Sequence, residues 1–134
     1  MRSLVTIQRA SEITPIPDSD FLEAAKIMGW SCVVKKGEFK EGDLGVYFEV
    51  DSFLPEEERY EFLRASSYRD NVDNGKGFRI RTAKMRGQLS QGLFLSLAKF
   101  PELEGCKEGD DVTEKLNVKK WYIPETASAG GTII

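Results

Sequence analysis

Short apolar segments alternate with turn-forming residues along the whole chain. Leu4, Val5 and Ile7 form the first segment, which ends in the run 14–20 with its two prolines, Pro15 and Pro17. Further segments with strand-like patterns cover residues 21–28, 30–35, 44–50, 78–83 and 93–97. Five or six short strands with glycine-rich turns and little helix predict an all-β fold with short helices, arranged as a small barrel.

Helical signals are short and few. Tyr60 and Leu63 lie at helical spacing, and the acids 56–58 favour a helix start, so this region predicts a short helix. The following stretch, ASSYRDNVDNGKG, is polar and rich in Gly and Asn, which predicts a mobile surface loop. A second short helical piece is predicted at residues 113–116.

The tetrapeptide Lys-Glu-Gly-Asp occurs twice, at residues 40–43 and 107–110. Each copy places a glycine among charged residues and precedes an apolar segment, which predicts a tight turn. A calcium site would need several oxygen ligands at fixed spacing, and a lone Gly-Asp pair does not supply them.

Length and composition are those of one domain. The chain has 134 residues, of which 40% are hydrophobic and 31% charged, and no apolar run is as long as a membrane span. The first residues are too polar for a secretory signal, so we expect no membrane partner and a cytoplasmic location.

Histidine and cysteine contents exclude several chemistries. The chain has no His, so histidine-based triads and the common zinc enzyme sites are excluded. The two cysteines, Cys32 and Cys106, lack the spacing of a metal site, so no metal is expected. Because Cys32 lies within an apolar run, we predict a buried free thiol there.

Positive charge is concentrated in residues 75–99, which we call the basic segment. Its sequence, GKGFRIRTAKMRGQLSQGLFLSLAK, contains no acid and six basic residues: Lys76, Arg79, Arg81, Lys84, Arg86 and Lys99. The rest of this acidic chain has 13 basic residues against all 22 acids. Such an asymmetry indicates a phosphate-binding face.

The basic segment also has the alternation of a strand. One apolar face, with Phe78, Ile80 and Thr82, alternates with one cationic face, with Arg79, Arg81 and Ala83. The two arginines should therefore point to the same side. The alternative is an ordinary solvated strand whose arginines pair with nearby acids, such as those at residues 56–58.

Two short motifs stand out in the basic segment: Lys84-Met85-Arg86-Gly87 and Ser90-Gln91-Gly92-Leu93. Together with four longer stretches they carry a family resemblance: GWSCVVKKGEFKEGDLGVYFEVDSFLP, FLRASSYRDN, GFRIRTAKMRGQLSQGLFLSL and GDDVTEKLNVKKW. Over residues 4–124 the chain resembles the N-terminal OB module of ATP-dependent nick-sealing RNA ligases, in which an OB domain precedes a nucleotidyltransferase domain. The two short pieces are also similar to the tRNA-binding OB modules of aminoacyl-tRNA synthetases.

This resemblance implies a five-stranded Greek-key OB barrel at residues 1–123 and a linker at residues 124–134 toward a missing nucleotidyltransferase domain. The ligases attack ATP with the lysine of a Lys-x-Asp-Gly motif, which this sequence lacks. We therefore expect no catalysis and no cofactor in this chain, and ATP and Mg in the whole ligase.

The resemblance and the charge pattern together predict that the domain holds RNA, or a nicked RNA/DNA duplex, while the linked domain seals the nick. The first candidates for phosphate contacts are Arg79, Arg81, Lys84 and Arg86, and the second are Lys35 and Lys36. Ser90 and Gln91 either donate to phosphate or sugar, or satisfy backbone groups. The aromatic residues are expected in the core rather than on a stacking surface: Trp30, Tyr47, Phe48 and Phe53.

Two other functions fit the same sequence. One is a stand-alone tRNA- or RNA-binding OB module without ligase activity. The other is a docking domain whose basic segment binds an acidic protein surface.

Overall fold

The computed structural model describes residues 3–17, 19–85 and 87–122. Within these ranges there are twelve strands: Val5–Arg9 (β1), Glu12–Pro15 (β2), Leu22–Ile27 (β3), Trp30–Lys35 (β4), Leu44–Phe48 (β5), Ser52–Leu54 (β6), Tyr68–Asn71 (β7), Gly75–Arg79 (β8), Ala83–Met85 (β9), Gln88–Ser90 (β10), Leu93–Ser96 (β11) and Lys119–Lys120 (β12). The helical elements are short: the 3₁₀-helices Glu58–Leu63, Leu97–Lys99 and Pro101–Leu103, and the α-helical turn Arg64–Ser67 (α1). None of the described helices is long and apolar enough to cross a bilayer.

Five runs of strand follow one another around a barrel. Strand β5 pairs antiparallel with β1 and β11, so that Val46 lies opposite both Ile7 and Leu95. Strand β3 pairs with β2 and β4. The chain bends between β1 and β2, and a hydrogen bond from Gln91 N to Ser31 O, 2.7 Å long, joins the β10–β11 run to β4. The order around the barrel is therefore β1/β2, β3, β4, β10/β11, β5 and back to β1.

Two apolar clusters fill the interior. One lies around β1, β5 and β11 and includes Phe48, which is fully buried. The other lies under β3 and β4 and includes Cys32, whose pKa burial raises to about 12, as expected of an inert buried thiol. Gly45 leaves room for the Phe94 ring of the neighbouring strand β11, because a Cβ there would stand 2.6 Å from that ring.

The predicted strands at 21–28, 30–35 and 44–50 are confirmed as β3, β4 and β5, and the short helix begins at Glu58. The prediction of an irregular surface loop after the short helix was wrong, because Tyr68–Asn71 and Gly75–Arg79 form the hairpin β7–β8. Tyr68 packs on Phe78 with 5.8 Å between ring centroids, a contact that no local pattern reveals. The predicted helix at 113–116 was also wrong: these residues form turns.

The two Lys-Glu-Gly-Asp copies form matching turns, as predicted. In each, the aspartate side chain accepts from the lysine N–H, at 2.9 Å for Lys40 and 2.8 Å for Lys107. Gly42 and Gly109 both have a φ of 91°, in the left-handed region that favours glycine. The repeated tetrapeptide therefore has a structural role, because both copies form the same turn.

Arg59 ties the 3₁₀-helix Glu58–Leu63 to the segment after β11. Its guanidinium donates to Glu57 and Glu102, in the latter case at 2.9 Å, and lies 4.5 Å from the centroid of the Phe100 ring. The hydrogen bonds from Arg59 lower the pKa of the Glu102 carboxyl to about 2, from the usual 4.5.

This pair predicts a pH-dependent contribution to stability. Because the pKa of Glu102 is lower in the folded state, its contribution is fully present above pH 4.5 and is lost as the pH falls through about 2. Glu102→Gln should therefore lower the free energy of unfolding at pH 7 by under about 1 kcal/mol for this partly exposed pair, and with it the melting temperature. The substitution should make little difference near pH 2. Thermal melts followed by circular dichroism at both pH values test this, and an equal loss at both would contradict it.

Candidate nucleic-acid interface

A cleft of about 450 Å³ opens where β4, α1, the β7–β8 hairpin and the β10–β11 run meet. Its wall carries three arginines, Arg69, Arg79 and Arg81, and four hydroxyl side chains, Ser66, Ser67, Thr82 and Ser90. None of the described residues that line it is acidic. We call this the arginine cleft.

Strand β8 and the residues after it bring two predicted arginines to this cleft. Phe78 and Ile80 are buried in the core, whereas Arg79 is half-buried and Arg81 is exposed, so burial alternates here as the sequence predicts. Arg79 and Arg81 both line the cleft, but so do Ile80, Thr82 and Ala83, and Thr82 was expected on the apolar side. The strand itself ends at Arg79, so Arg81 belongs to the connection toward β9.

Arg79 is held firmly in the cleft wall. Its guanidinium donates to the Asp51 carboxylate at 3.0 Å and lies 4.8 Å from the centroid of the Trp121 ring. Its side chain is only 20% exposed. The Asp51 partner follows β5 and is fixed in turn, because its N–H donates to Ile80 O at 2.7 Å.

The acids that the alternative assigned to the basic segment have other partners. Glu56 pairs with Arg64 at 3.0 Å, and Glu57 pairs with Arg59 at 2.8 Å. Arg79 does form an ion pair, but with Asp51. Glu56 and Glu57 therefore pair elsewhere, but the Arg79–Asp51 ion pair is what the solvated-strand alternative predicts for that arginine.

Arg69 and Arg81 carry the charge that remains available in the cleft. Within the described ranges, neither guanidinium forms an ion pair with a carboxylate; Arg69 donates to the neighbouring Tyr68 carbonyl at 2.8 Å. Sequence reasoning missed Arg69, Ser66 and Ser67, because they lie in and beside the segment predicted as a loop. The one local signal was the apolar–charged pair Tyr68 and Arg69, and two residues are too few to predict a strand.

Ser90 and Gln91 are both engaged with the backbone of β4. Buried Ser90 Oγ accepts from Val33 N at 3.0 Å, and Gln91 Oε1 accepts from Ser31 N at 3.3 Å. These contacts match the backbone-satisfying alternative. A contact with phosphate or sugar stays a prediction for both residues.

The predicted lysines lie outside the cleft lining. Lys84 is exposed on β9, Lys35 is exposed at the end of β4, and Lys36 is exposed in the turn that follows. Lys35 is two residues from Val33, which lines the cleft, so both lie on the same face of β4. Arg86 lies outside the described residues, so its predicted phosphate contact is not located.

Three of the four aromatic residues expected in the core are there. Tyr47, Phe48 and Phe53 are buried, whereas Trp30 is 47% exposed, so the expectation for Trp30 was wrong. Trp30 begins β4 directly after a tight turn at Met28 and Gly29, both with positive φ, and this turn places it at the barrel edge.

Comparison with known proteins identifies the fold. A family model described as an OB-fold domain matches residues 4–97, more than half of the chain. The chain belongs to the OB-fold family. The predicted all-β class and OB barrel are thereby confirmed. No curated protein matches the sequence.

This OB-fold domain is similar to part of an RNA ligase. The RNA ligase of Naegleria gruberi with PPi is 51% identical, with a TM-score of 0.86 over 92% of this chain. Mutants of that ligase with ATP and Mn, or with AMP and Mn, give 50% identity and TM-scores of 0.87 and 0.85 over 94% and 92% of the chain. The domain spans only 36% or 37% of those ligases, and their similarity confirms the resemblance seen in the sequence.

Mn is present in two of those ligase structures. Across residues 3–17, 19–85 and 87–122, no group of three His, Cys, Asp or Glu side chains is placed to hold a metal ion. Cationic and hydroxyl groups are what the arginine cleft offers, and these suit phosphate and sugar oxygens.

Proposed function

We propose that this OB-fold domain is the nucleic-acid-binding module of an ATP-dependent RNA ligase and that it holds nicked RNA, or a nicked RNA/DNA duplex, for sealing. The observation that carries the proposal is the arginine cleft, which gathers three arginines and no described acid on an otherwise acidic protein. The similarity to an RNA ligase at about half identity supports the same function.

Phosphate binding follows from the chemistry of the cleft. Arginine presents a planar set of donors that matches two phosphate oxygens, and each phosphate contact releases counterions. Arg69 and Arg81 have the freedom to adapt to a strand, whereas Arg79 offers a fixed donor. Lys84, Arg86, Lys35 and Lys36 are proposed to extend the contacts beyond the cleft. Such binding tolerates any sequence, as nick sealing requires.

Catalysis is assigned to another domain of the same protein. We propose that residues 1–123 are the OB-fold domain and that residues 124–134, which lie outside the described part of the chain, lead toward a nucleotidyltransferase domain. That domain would supply the Lys-x-Asp-Gly lysine and would hold ATP and Mg. This chain would bind the nucleic-acid substrate.

The salt dependence of binding tests the proposal. If the cleft arginines and one to three flanking cations touch phosphates, log affinity for a labelled nicked RNA duplex should fall against log salt with a slope of about −3 to −5. Fluorescence anisotropy between low and physiological salt measures this slope. As a matched control, Lys107→Ala removes an exposed cation in the turn 107–110 and should leave the slope unchanged.

Two results would contradict the proposal. A flat salt response would mean that phosphates are not bound. Equal binding of polyglutamate and RNA at the same charge would instead support the docking of an acidic protein surface.

A further inference from the structure

Residues 119–122, which we call the C-terminal segment, share a sheet with the strand that carries Arg79. Lys119 and Lys120 pair with β6, and Phe53 of β6 lies opposite Arg79 of β8. Trp121 N donates to Asp51 O at 2.7 Å, and its ring lies 5.1 Å from that of Phe53. The segment is therefore part of the wall that backs the arginine cleft.

Asn74 fixes the end of this segment through its backbone. The Asn74 side chain accepts from Tyr122 N at 2.7 Å and donates to Tyr122 O at 2.9 Å, as a paired strand would. Asn74 is itself held in the β7–β8 turn, because its N–H donates to Asn71 Oδ1 at 2.8 Å. The Tyr122 ring is 54% exposed and takes no part in this pair of hydrogen bonds.

Arg79 connects the C-terminal segment to the cleft. Its guanidinium is bound on one side by the Asp51 carboxylate and on the other by the Trp121 ring. The same Asp51 accepts the Trp121 N–H through its carbonyl. A displacement of Trp121 would therefore remove both the ring that covers Arg79 and a restraint on its acid partner.

We propose that the C-terminal segment positions Arg79 for phosphate binding, so that the seating of residues 119–122 and the occupancy of the arginine cleft are coupled. The inference rests on the proposed function. Asn74 and Trp121 are positioning residues that act through Arg79, which is already ordered before a strand arrives. Linkage is reciprocal, so a bound strand also stabilises the seated segment. A strand bound in the cleft therefore also affects the position of Tyr122, from which the chain continues toward residue 134.

Three single variants of the whole chain separate positioning from general stability. Asn74→Ala removes the two hydrogen bonds to the Tyr122 backbone, but it also changes a residue of the β7–β8 turn. Trp121→Leu removes the ring over Arg79 and leaves that turn unchanged. Tyr122→Ala is the matched control, since it keeps the backbone groups that Asn74 holds. We expect the first two to bind nicked RNA about three- to tenfold more weakly, with a salt slope shallower by about one, and the control to bind like the parent.

Trp121 also reports the coupling directly. The chain has two tryptophans, and Trp30→Phe leaves Trp121 as the single emitter. Adding nicked RNA should change its emission, and the change should be lost when Asn74→Ala is added. Melting temperatures of all variants show whether each is folded at the temperature of the binding assay.

The outcomes distinguish this inference from the proposed function. If the unaltered domain does not bind nicked RNA, both are overturned. If it binds, and Asn74→Ala and Trp121→Leu bind with the same affinity and slope, the coupling alone is overturned. Weaker binding with an unchanged slope, or an equal loss in Tyr122→Ala, would also overturn it, because Arg79 would then not be the group affected.

Discussion

Replacing Arg69 and Arg81 by Ala in the full-length ligase that we propose should slow nick sealing about a hundredfold, while lysyl-AMP formation stays nearly unchanged. The lysine that attacks ATP would lie in the other domain, so loading with AMP does not need the arginine cleft. Sealing requires a 3′-hydroxyl aligned with an adenylylated 5′-phosphate, and a misplacement of about 1 Å can cost on the order of a hundredfold in rate.

Single-turnover sealing of a nicked duplex by pre-adenylylated enzyme measures this effect without the first step. Lys107→Ala, an exposed cation outside the cleft, should seal at the parent rate. If the double variant seals normally, the cleft does not position the substrate. A full-length protein without ligase activity would favour the stand-alone RNA-binding module.

Phe48→Ala should destabilise the domain by about 3–5 kcal/mol, the range measured for truncating a buried phenylalanine. Phe48 is fully buried at the end of β5, and its ring centroid lies 6.0 Å from those of both Tyr60 and Phe100. Since a domain of this kind is stable by about 5–15 kcal/mol in all, much of the native population would be lost.

Urea unfolding followed by circular dichroism gives the free energy of unfolding for this comparison. Phe62→Ala is the matched control: Phe62 is 54% exposed, and the Lys99 ammonium lies 4.4 Å from its ring centroid. It should cost about 1 kcal/mol or less. Equal losses in the two variants would show that β5 is not central to the core.

The barrel strands could be predicted from the sequence because their two faces meet different surroundings. In β4, buried Cys32 and Val34 alternate with more exposed neighbours, and this alternation is visible in the letters alone. The hairpin β7–β8 was missed because β7 has little apolar pattern and depends on pairing with β8. Propensity alone does not show such tertiary support.

The site was predicted in the same uneven way. The alternation around Phe78 predicted that Arg79 and Arg81 lie on a different side from the buried residues, and their greater exposure agrees with this. It could not show that Asp51, 28 residues earlier, neutralises part of the Arg79 charge, or that Arg69 arrives from another strand. Contacts between distant residues depend on the fold, so one sequence without its relatives does not reveal them.

The pairing of arginines elsewhere on the surface affects how a strand approaches. Arg9, Arg59 and Arg64 each form ion pairs with glutamates, and the net charge of the whole chain is −3. A polyanion that meets most of this surface is repelled over about 8 Å, the screening length at physiological salt. Attraction is concentrated at the arginine cleft. In the proposed function, the orientation of a nucleic acid would therefore be selected during diffusion toward the protein, before any contact is made.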